Sequence, residues 1–375
     1  MKFICTKENL IHALQIVSGI ASKPGHLPIL AHILIQATES GVTLTTTNLE
    51  ISIKTHIRAK VEKSGSFTVP AKMITDYVNL LLDDQVEITQ EGMELLIKSG
   101  NASTKIKGIP DDEYPVIPEI VEQSGYVIPA IELKKALSKV VFAAAKNEIR
   151  PELSGVYCGF FVREKKGVYF ATTDSYRLSE YYLPLEQTGE EYESILPAKT
   201  AYEVVRLLTH SLSKGEKEQN VRLWVSEGQL VVRYGQYELI SRMIDGSYPD
   251  YTQIIPTTFN TSAQVSGAVL KSSIKQASLF VTSGVNAVSF KVDPVAGSLS
   301  VSSMSSQAGE HESQIDVQVT GDENSILLNY RYVLEGMQHM DTDEIMFEMN
   351  SADSPCVFRP KDGEAYLYIV MPVRQ

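Results

Sequence analysis

Two acidic clusters, Asp111-Asp112-Glu113 and Asp341-Thr342-Asp343-Glu344, are the groups in this 375-residue chain most able to do chemistry. Carboxylates grouped in this way can hold paired divalent ions and cleave phosphodiesters, which would make the chain a nuclease. Both clusters lie in turn-like contexts, without partner carboxylates at matching spacing, so solvated loop charge fits them better. The seven histidines are scattered: only His26 and His32 are close, and no acidic or cysteine pattern accompanies them. Gly-x-x-x-x-Gly-Lys, Gly-x-Ser-x-Gly and His-Glu-x-x-His are all absent. Cys5, Cys158 and Cys356 lie far apart, with no Cys-x-x-Cys pair. They read as small buried hydrophobes in a reducing cytoplasm, without disulfide or zinc. The expectation is a non-catalytic protein without metal or cofactor.

Cations on helices are the other candidates. Net charge is −12, and residues 252–375 hold 7 Lys and Arg against 14 Asp and Glu. The predicted helices go the other way. Lys134, Lys135, Lys139 and Lys146 face only Glu132 across 132–146, and Lys271 and Lys275 meet no acid across 269–282. A net charge of −12 argues against a protein coated in nucleic acid, while near-neutral or basic helices on an acidic body imply a segregated field, with solvated helix faces as the alternative reading.

The elements that carry these residues recur. Residues 67–81 read FTVPAKMITDYVNLL and residues 194–208 read SILPAKTAYEVVRLL, an offset of 127. A fainter third copy begins at Ser325-Ile326-Leu327-Leu328, with an expected offset of 131 from the second. Each third opens with an apolar helical stripe: Leu10, Ala13, Leu14 and Val17; then Leu133, Ala136, Leu137 and Val140; then Val269, Ile274, Ala277 and Leu279. Alternating strands follow Gly turns at Val42 and Val168, and the first two thirds close alike in Asp111-Asp112-Glu113-Tyr114-Pro115 and Asp245-Gly246-Ser247-Tyr248-Pro249. A period this long is the size of a domain, not of a solenoid unit. The expected fold is α+β, with each repeat an antiparallel sheet plus two helices, and the expected domains span 1–122, 127–251 and 252–375. Apolar content of 43% and charged content of 21% describe a soluble globular protein. No apolar run approaches the roughly 18 residues of a membrane span, and the early charges of Met-Lys-Phe-Ile-Cys-Thr-Lys-Glu do not read as a signal peptide.

Over its full length the chain resembles the bacterial sliding clamps, the beta subunits of DNA polymerase III. The resemblance rests on Met1-Lys2-Phe3, Leu27-Pro28-Ile29-Leu30, Val69-Pro70-Ala71-Lys72, Arg150-Pro151 with Leu153-Ser154-Gly155, Thr173-Asp174-Ser175-Tyr176-Arg177-Leu178, Asp245-Gly246-Ser247-Tyr248-Pro249-Asp250-Tyr251 and Ile369-Val370-Met371-Pro372-Val373-Arg374. It implies a processivity factor in which three clamp domains form a crescent and two crescents close into a homodimeric ring around duplex DNA, in the cytoplasm at the nucleoid. It also implies DNA polymerase III alpha subunit, clamp loader and repair polymerases as partners, docked through short linear peptides. Carried over by position, DNA contacts fall on Lys23, Lys72, Lys146, Asn147, Arg150 and Lys199, helped by Lys135, Lys139 and Lys275. The peptide pocket falls on Leu153, Thr173, Ser175, Arg177, Leu178, Pro249, Ile254, Asn329, Tyr332, Val370, Met371, Pro372 and Val373, and the ring joint on Ile106, Leu279 and Phe280. Some positions depart from the family pattern: Thr104 stands for an aromatic, Tyr176 for a His, Gln253 for a basic residue and Gln375 for an apolar one. These leave room for a paralogue serving a plasmid, phage or repair pathway.

Overall fold

The structure is a computed structural model, and it describes residues 1–21, 27–117, 125–147, 149–187, 189–213, 219–226, 228–282, 284–363 and 365–374. Its helices come in pairs, one pair per third of the chain. They are α1 (Lys7–Val17), α2 (Ala71–Leu80), α3 (Ala130–Val140), α4 (Ala198–Ser213), α5 (Gly267–Ala277) and α6 (Tyr330–Gln338). Each turns one apolar stripe inward, such as Leu10, Ala13, Leu14 and Val17 on α1 and Ala201, Val204, Leu207 and Leu208 on α4. Local signals set the starts. The Thr6 side chain accepts from the Asn9 amide to cap α1, and the Asn329 side chain accepts from the Arg331 amide to cap α6.

Two expectations are corrected here. The buried stripe of α5 is Leu270, Ser273, Ile274 and Ala277, whereas Val269 and Leu279 point outward, at 46% and 74% exposure. The second helix of the third pair, α6, also starts one residue later than the apolar match implied. The strand before α4 ends at Pro197 and the strand before α6 at Asn329, an offset of 132. An N-capping Asn there takes the place of the proline that starts α2 and α4.

Every strand pairing between named strands is antiparallel, and the two larger sheets cross the repeat boundaries. The chain divides into two compact units, Met1–Lys134 with Lys199–Met243, and Lys135–Ala198 with Ile244–Gln375. The first unit holds a five-stranded sheet and an eight-stranded sheet. In the larger sheet, Tyr237–Arg242 of the second third pairs with Ile51–Ile57 of the first, with Leu239 opposite Ile53. The second unit repeats the arrangement with a nine-stranded and a four-stranded sheet. There Arg177–Pro184 pairs with Tyr366–Val370, with Leu178 opposite Ile369. Each third therefore contributes strands to two sheets: the two larger sheets each join strands of two thirds, whereas the five-stranded and four-stranded sheets lie within the first and last thirds.

Close packing fixes α6 against its sheet. A Cβ on Gly336 would meet the Tyr368 ring at 2.1 Å, so no larger residue fits. The Tyr368 hydroxyl donates to the Tyr332 carbonyl at 2.8 Å. The three cysteines are free and buried, and burial pushes the Cys5 and Cys158 thiols up to about 12, so they pack as inert hydrophobes. Among the described residues, no helix is long and apolar enough to cross a membrane.

Candidate functional site

In the second unit a cavity of about 640 Å³ is lined by residues that the sequence assigned to two different roles. Leu153, Ser175, Arg177 and Tyr332 come from the peptide set, and Lys146, Asn147 and Arg150 from the DNA set. Tyr176, Arg331 and Glu335 complete the polar wall. The site is built on the turn from Thr173 to Arg177. Asp174 Oδ1 accepts from the amides of Tyr176 and Arg177 at 3.0 and 3.1 Å, and Thr173 Oγ1 accepts from the Ser175 amide at 3.1 Å. The turn holds Ser175 at φ 76°, a left-handed conformation that costs a non-glycine residue about 1 kcal/mol or more. The first third builds the same turn from Thr47 to Ile51, with Leu49 at φ 75° and Asn48 Oδ1 accepting from the Glu50 and Ile51 amides. The repeat thus extends to side-chain capping.

Arg177 is the fixed cation of the cavity, at 4% exposure. Its Nε donates to Asp174 Oδ2 at 3.0 Å, Nη1 to Glu335 Oε2 at 2.7 Å and Nη2 to the Phe142 carbonyl at 3.1 Å. The guanidinium lies 4.7 Å from the Tyr332 ring centre, a cation–π arrangement. With its charge already matched, Arg177 shapes the wall and leaves its aliphatic and aromatic neighbours to make apolar contacts. At the rim, Tyr176 is 63% exposed and faces Tyr332 with ring centres 6.5 Å apart.

The remaining predicted pocket residues do not line the cavity. Leu178 is fully buried in a core cluster with Tyr157, Tyr169, Tyr251 and Ile369, as its place in a central strand dictates. Thr173 lies beneath the turn, and its Oγ1 donates to the Arg177 carbonyl. Val370 is buried opposite Arg177. The tail beyond it stays attached: the Met371 amide donates to the Tyr176 carbonyl and the Val373 amide to the Leu327 carbonyl, both at 2.8 Å. Met371, Pro372 and Val373 are half-buried, as are Pro249 and Asn329, and Ile254 is 38% exposed.

Among the DNA candidates, Lys72 and Lys199 are exposed and occupy the second position of α2 and α4. Lys23 lies outside the described residues. Arg150 is exposed and pairs with Glu152 at 3.0 Å. Lys139 does not serve as a free phosphate contact: its side chain is 7% exposed, pairs with Asp341 at 3.0 Å, and donates to the His339 carbonyl. Burial lowers its pKa against the opposing pull of Asp341. One of the acidic clusters is thereby engaged in an ion pair, and Asp111 of the other accepts a hydrogen bond from the Ser66 hydroxyl.

Sequence reasoning missed Arg331. At the offset of 132 it is the counterpart of Lys72 and Lys199, the second residue of α6, and it is exposed. The capping Asn329 just before Tyr330-Arg331 is the signal that would have set the register. Of the joint candidates, Ile106 is buried within its own sheet and Leu279 is exposed, while Phe280 stacks on His311 with ring centres 5.8 Å apart.

Comparison with known proteins accounts for this arrangement. Residues 1–118, 127–250 and 252–374 match the N-terminal, central and C-terminal domains described for the DNA polymerase III beta subunit. The beta sliding clamp of Synechococcus elongatus is 29% identical over 381 residues, covering 100% of this chain and 99% of that protein. That of Streptococcus pneumoniae is 28% identical over 382 residues, with 99% of each covered. The crystal structure of the Bacillus subtilis DNA polymerase sliding clamp superposes with a TM-score of 0.92 at 29% identity, covering 100% of this chain and 99% of that one. The chain has the three-domain α+β clamp fold and belongs to the DNA polymerase III beta subunit family, the bacterial sliding clamps.

Proposed function

We propose that this chain is a non-catalytic processivity clamp that encircles duplex DNA as a homodimer, acts in the cytoplasm at the nucleoid, and tethers DNA polymerase III and other partners. The domains would span 1–122, 127–251 and 252–375. The observation that carries the reading is a threefold placement of charge. Helices α2, α4 and α6 each put Lys72, Lys199 or Arg331 at their second position, with no acid in the first turn. A helix dipole disfavours cations at that end and favours anions there. Three equivalent helices that accept this cost present amide dipoles and cations together, which suits sequence-blind contact with phosphates.

Ring closure is supported by two open sheet edges. Ala102–Lys107 ends the five-stranded sheet and carries Lys105 and Lys107, while Gly309–Asp316 ends the four-stranded sheet and carries Glu310, Glu312 and Asp316. Open edges invite pairing with another chain, and opposite charge selects this pairing over edge-to-like-edge association. Two copies joined head to tail through both edges close without leaving either exposed. Leu279 and Phe280 would add the apolar component. The cavity at Ser175, Arg177 and Tyr332 would receive an apolar anchor of a partner peptide, with Met371, Pro372 and Val373 beside it.

The test is solution mass combined with DNA retention. A clamp runs near twice the 41.5 kDa of one chain and stays on closed circular duplex at salt that strips it from linear duplex. A monomer that leaves both substrates alike would refute the proposal.

A further inference from the structure

Beneath the Thr173–Arg177 turn, outside the cavity, lies a set of polar groups that neither the fold nor the proposed contacts require. The Tyr248 hydroxyl accepts from the Thr173 amide at 3.0 Å. Tyr248 packs edge-on against Tyr251, with ring centres 6.2 Å apart, and against Tyr157 at 5.5 Å. The Tyr251 hydroxyl donates to Glu180 Oε2 at 2.6 Å and accepts from Arg163 Nη2 at 2.6 Å. Arg163 Nη1 closes the triangle onto Glu180 Oε2 at 2.9 Å, and its guanidinium lies 4.0 Å from the Tyr169 ring centre. Glu180 is only 9% exposed.

Buried ion pairs contribute little net stability compared with apolar residues of the same size, so this one calls for another reason. The repeat supplies a control. The first third builds the same left-handed turn, yet the positions matching Arg163 and Glu180 at the offset of 126 between the two turns are Ala37 and Lys54, which cannot form the pair. The matching tyrosine there, Tyr114, donates to the Thr45 carbonyl at 3.2 Å and also bonds the Thr47 backbone, so the tyrosine contact is shared by both turns and the ion pair is what differs. The pair is therefore not needed to form such a turn. It is present only beneath the turn that carries Ser175, Tyr176 and Arg177 on a cavity wall.

We infer that Arg163, Glu180, Tyr251 and Tyr248 are positioning residues for the peptide cavity: the turn forms without such a relay, and the relay sets where the formed turn sits on the cavity wall. Arg163 and Glu180 fix the Tyr251 hydroxyl, Tyr251 fixes the Tyr248 ring, and Tyr248 holds the Thr173 backbone amide and so places the Thr173 hydroxyl, which accepts from the Ser175 amide and donates to the Arg177 carbonyl. Pre-organisation of this kind raises affinity by removing the need to order the wall on binding. The inference rests on the reading of the cavity as the peptide site.

The test uses the full chain and a fluorescein-labelled peptide from the clamp-binding segment of a replicative polymerase alpha subunit, with anisotropy giving Kd. If the turn is competent in about a tenth of molecules once the relay is broken, Kd rises about tenfold. That rise is expected for Tyr248→Phe and Glu180→Ala. Glu180→Gln keeps an acceptor for Tyr251 and should stay within about twofold of wild type. Hydrogen exchange at the Ser175 and Arg177 amides should quicken in the same order, a change that lost global stability alone would not confine to this turn. Should Glu180→Ala fail to fold, Tyr248→Phe and Tyr251→Phe decide, since each removes a single oxygen. Wild-type affinity in the Tyr248 and Tyr251 variants would overturn the relay while leaving the cavity assignment standing. A wild-type chain that does not bind the peptide would overturn the cavity assignment and the relay with it.

Discussion

Replacing Lys72, Lys199 and Arg331 with alanine should move DNA binding and stability in opposite directions. Each cation sits at the second position of its helix, exposed and at the end where the dipole opposes it. Removing the cation relieves about 0.3–1 kcal/mol per helix at low salt, so the triple variant should gain on the order of 1–3 kcal/mol if the three sites add. Alanine also has the highest helix propensity, which works in the same direction. DNA binding should weaken. A cation that neutralises one phosphate contributes about 0.9 to the slope of log K against log salt. Three such residues in each of two chains would therefore flatten the slope by up to about 5, and each single variant by up to about 2. The assay pairs anisotropy on a short labelled duplex across a salt series with thermal unfolding of the same samples. Single variants should act alike, because the repeat places them equivalently. An unchanged salt slope would refute the phosphate assignment. A drop in melting temperature would refute the dipole argument, since it would mean the cations make stabilising contacts within the chain.

Leu279→Asp with Phe280→Asp should give a folded monomer, because removing apolar contacts at a joint costs roughly 2–5 kcal/mol each while Leu279 packs little within its own chain; sedimentation that still shows a dimer would place the joint elsewhere. Deleting residues 371–375 removes the Met371 and Val373 backbone hydrogen bonds, each contributing about 1 kcal/mol, and should abolish peptide binding in anisotropy while dimer mass and DNA retention persist. Burial, reinforced by Lys139, holds the His339 pKa below its ordinary 6.5. Above about pH 6.5 both folded and unfolded chains carry it neutral and its contribution is intact; as pH falls through that value the unfolded chain takes up a proton that the folded one refuses, and stability is lost down to the folded pKa. His339→Gln should flatten the pH dependence of urea-unfolding stability just below about pH 6.5, and an undiminished slope there would exclude His339 as a source.

The repeat, the paired helices, the antiparallel strands and the exposed cations at the starts of α2 and α4 were all legible in the sequence. Each depends on local periodicity or on a short motif that fixes its own backbone, as Pro-Ala-Lys does before α2 and α4. The register of the third copy was not legible, since Ser325-Ile326-Leu327 matches Ser194-Ile195-Leu196 one residue out of step, and only the cap formed by Asn329 decides that Arg331 is the third cation. Tertiary structure alone decided which charges are available. Lys135 and Lys139 lie on one helix and look alike in sequence, yet Lys135 is exposed and Lys139 is buried against Asp341 and Tyr366, partners about 200 residues away. Leu178 and Arg177 are neighbours in one strand, but the pleat sends Leu178 into the core and leaves Arg177 on the cavity wall. His12 and His210, scattered in sequence, stack at 4.5 Å. Local pattern determines elements because their hydrogen bonds close within a few residues. Sites depend on which faces meet, and those contacts join segments that no local pattern connects.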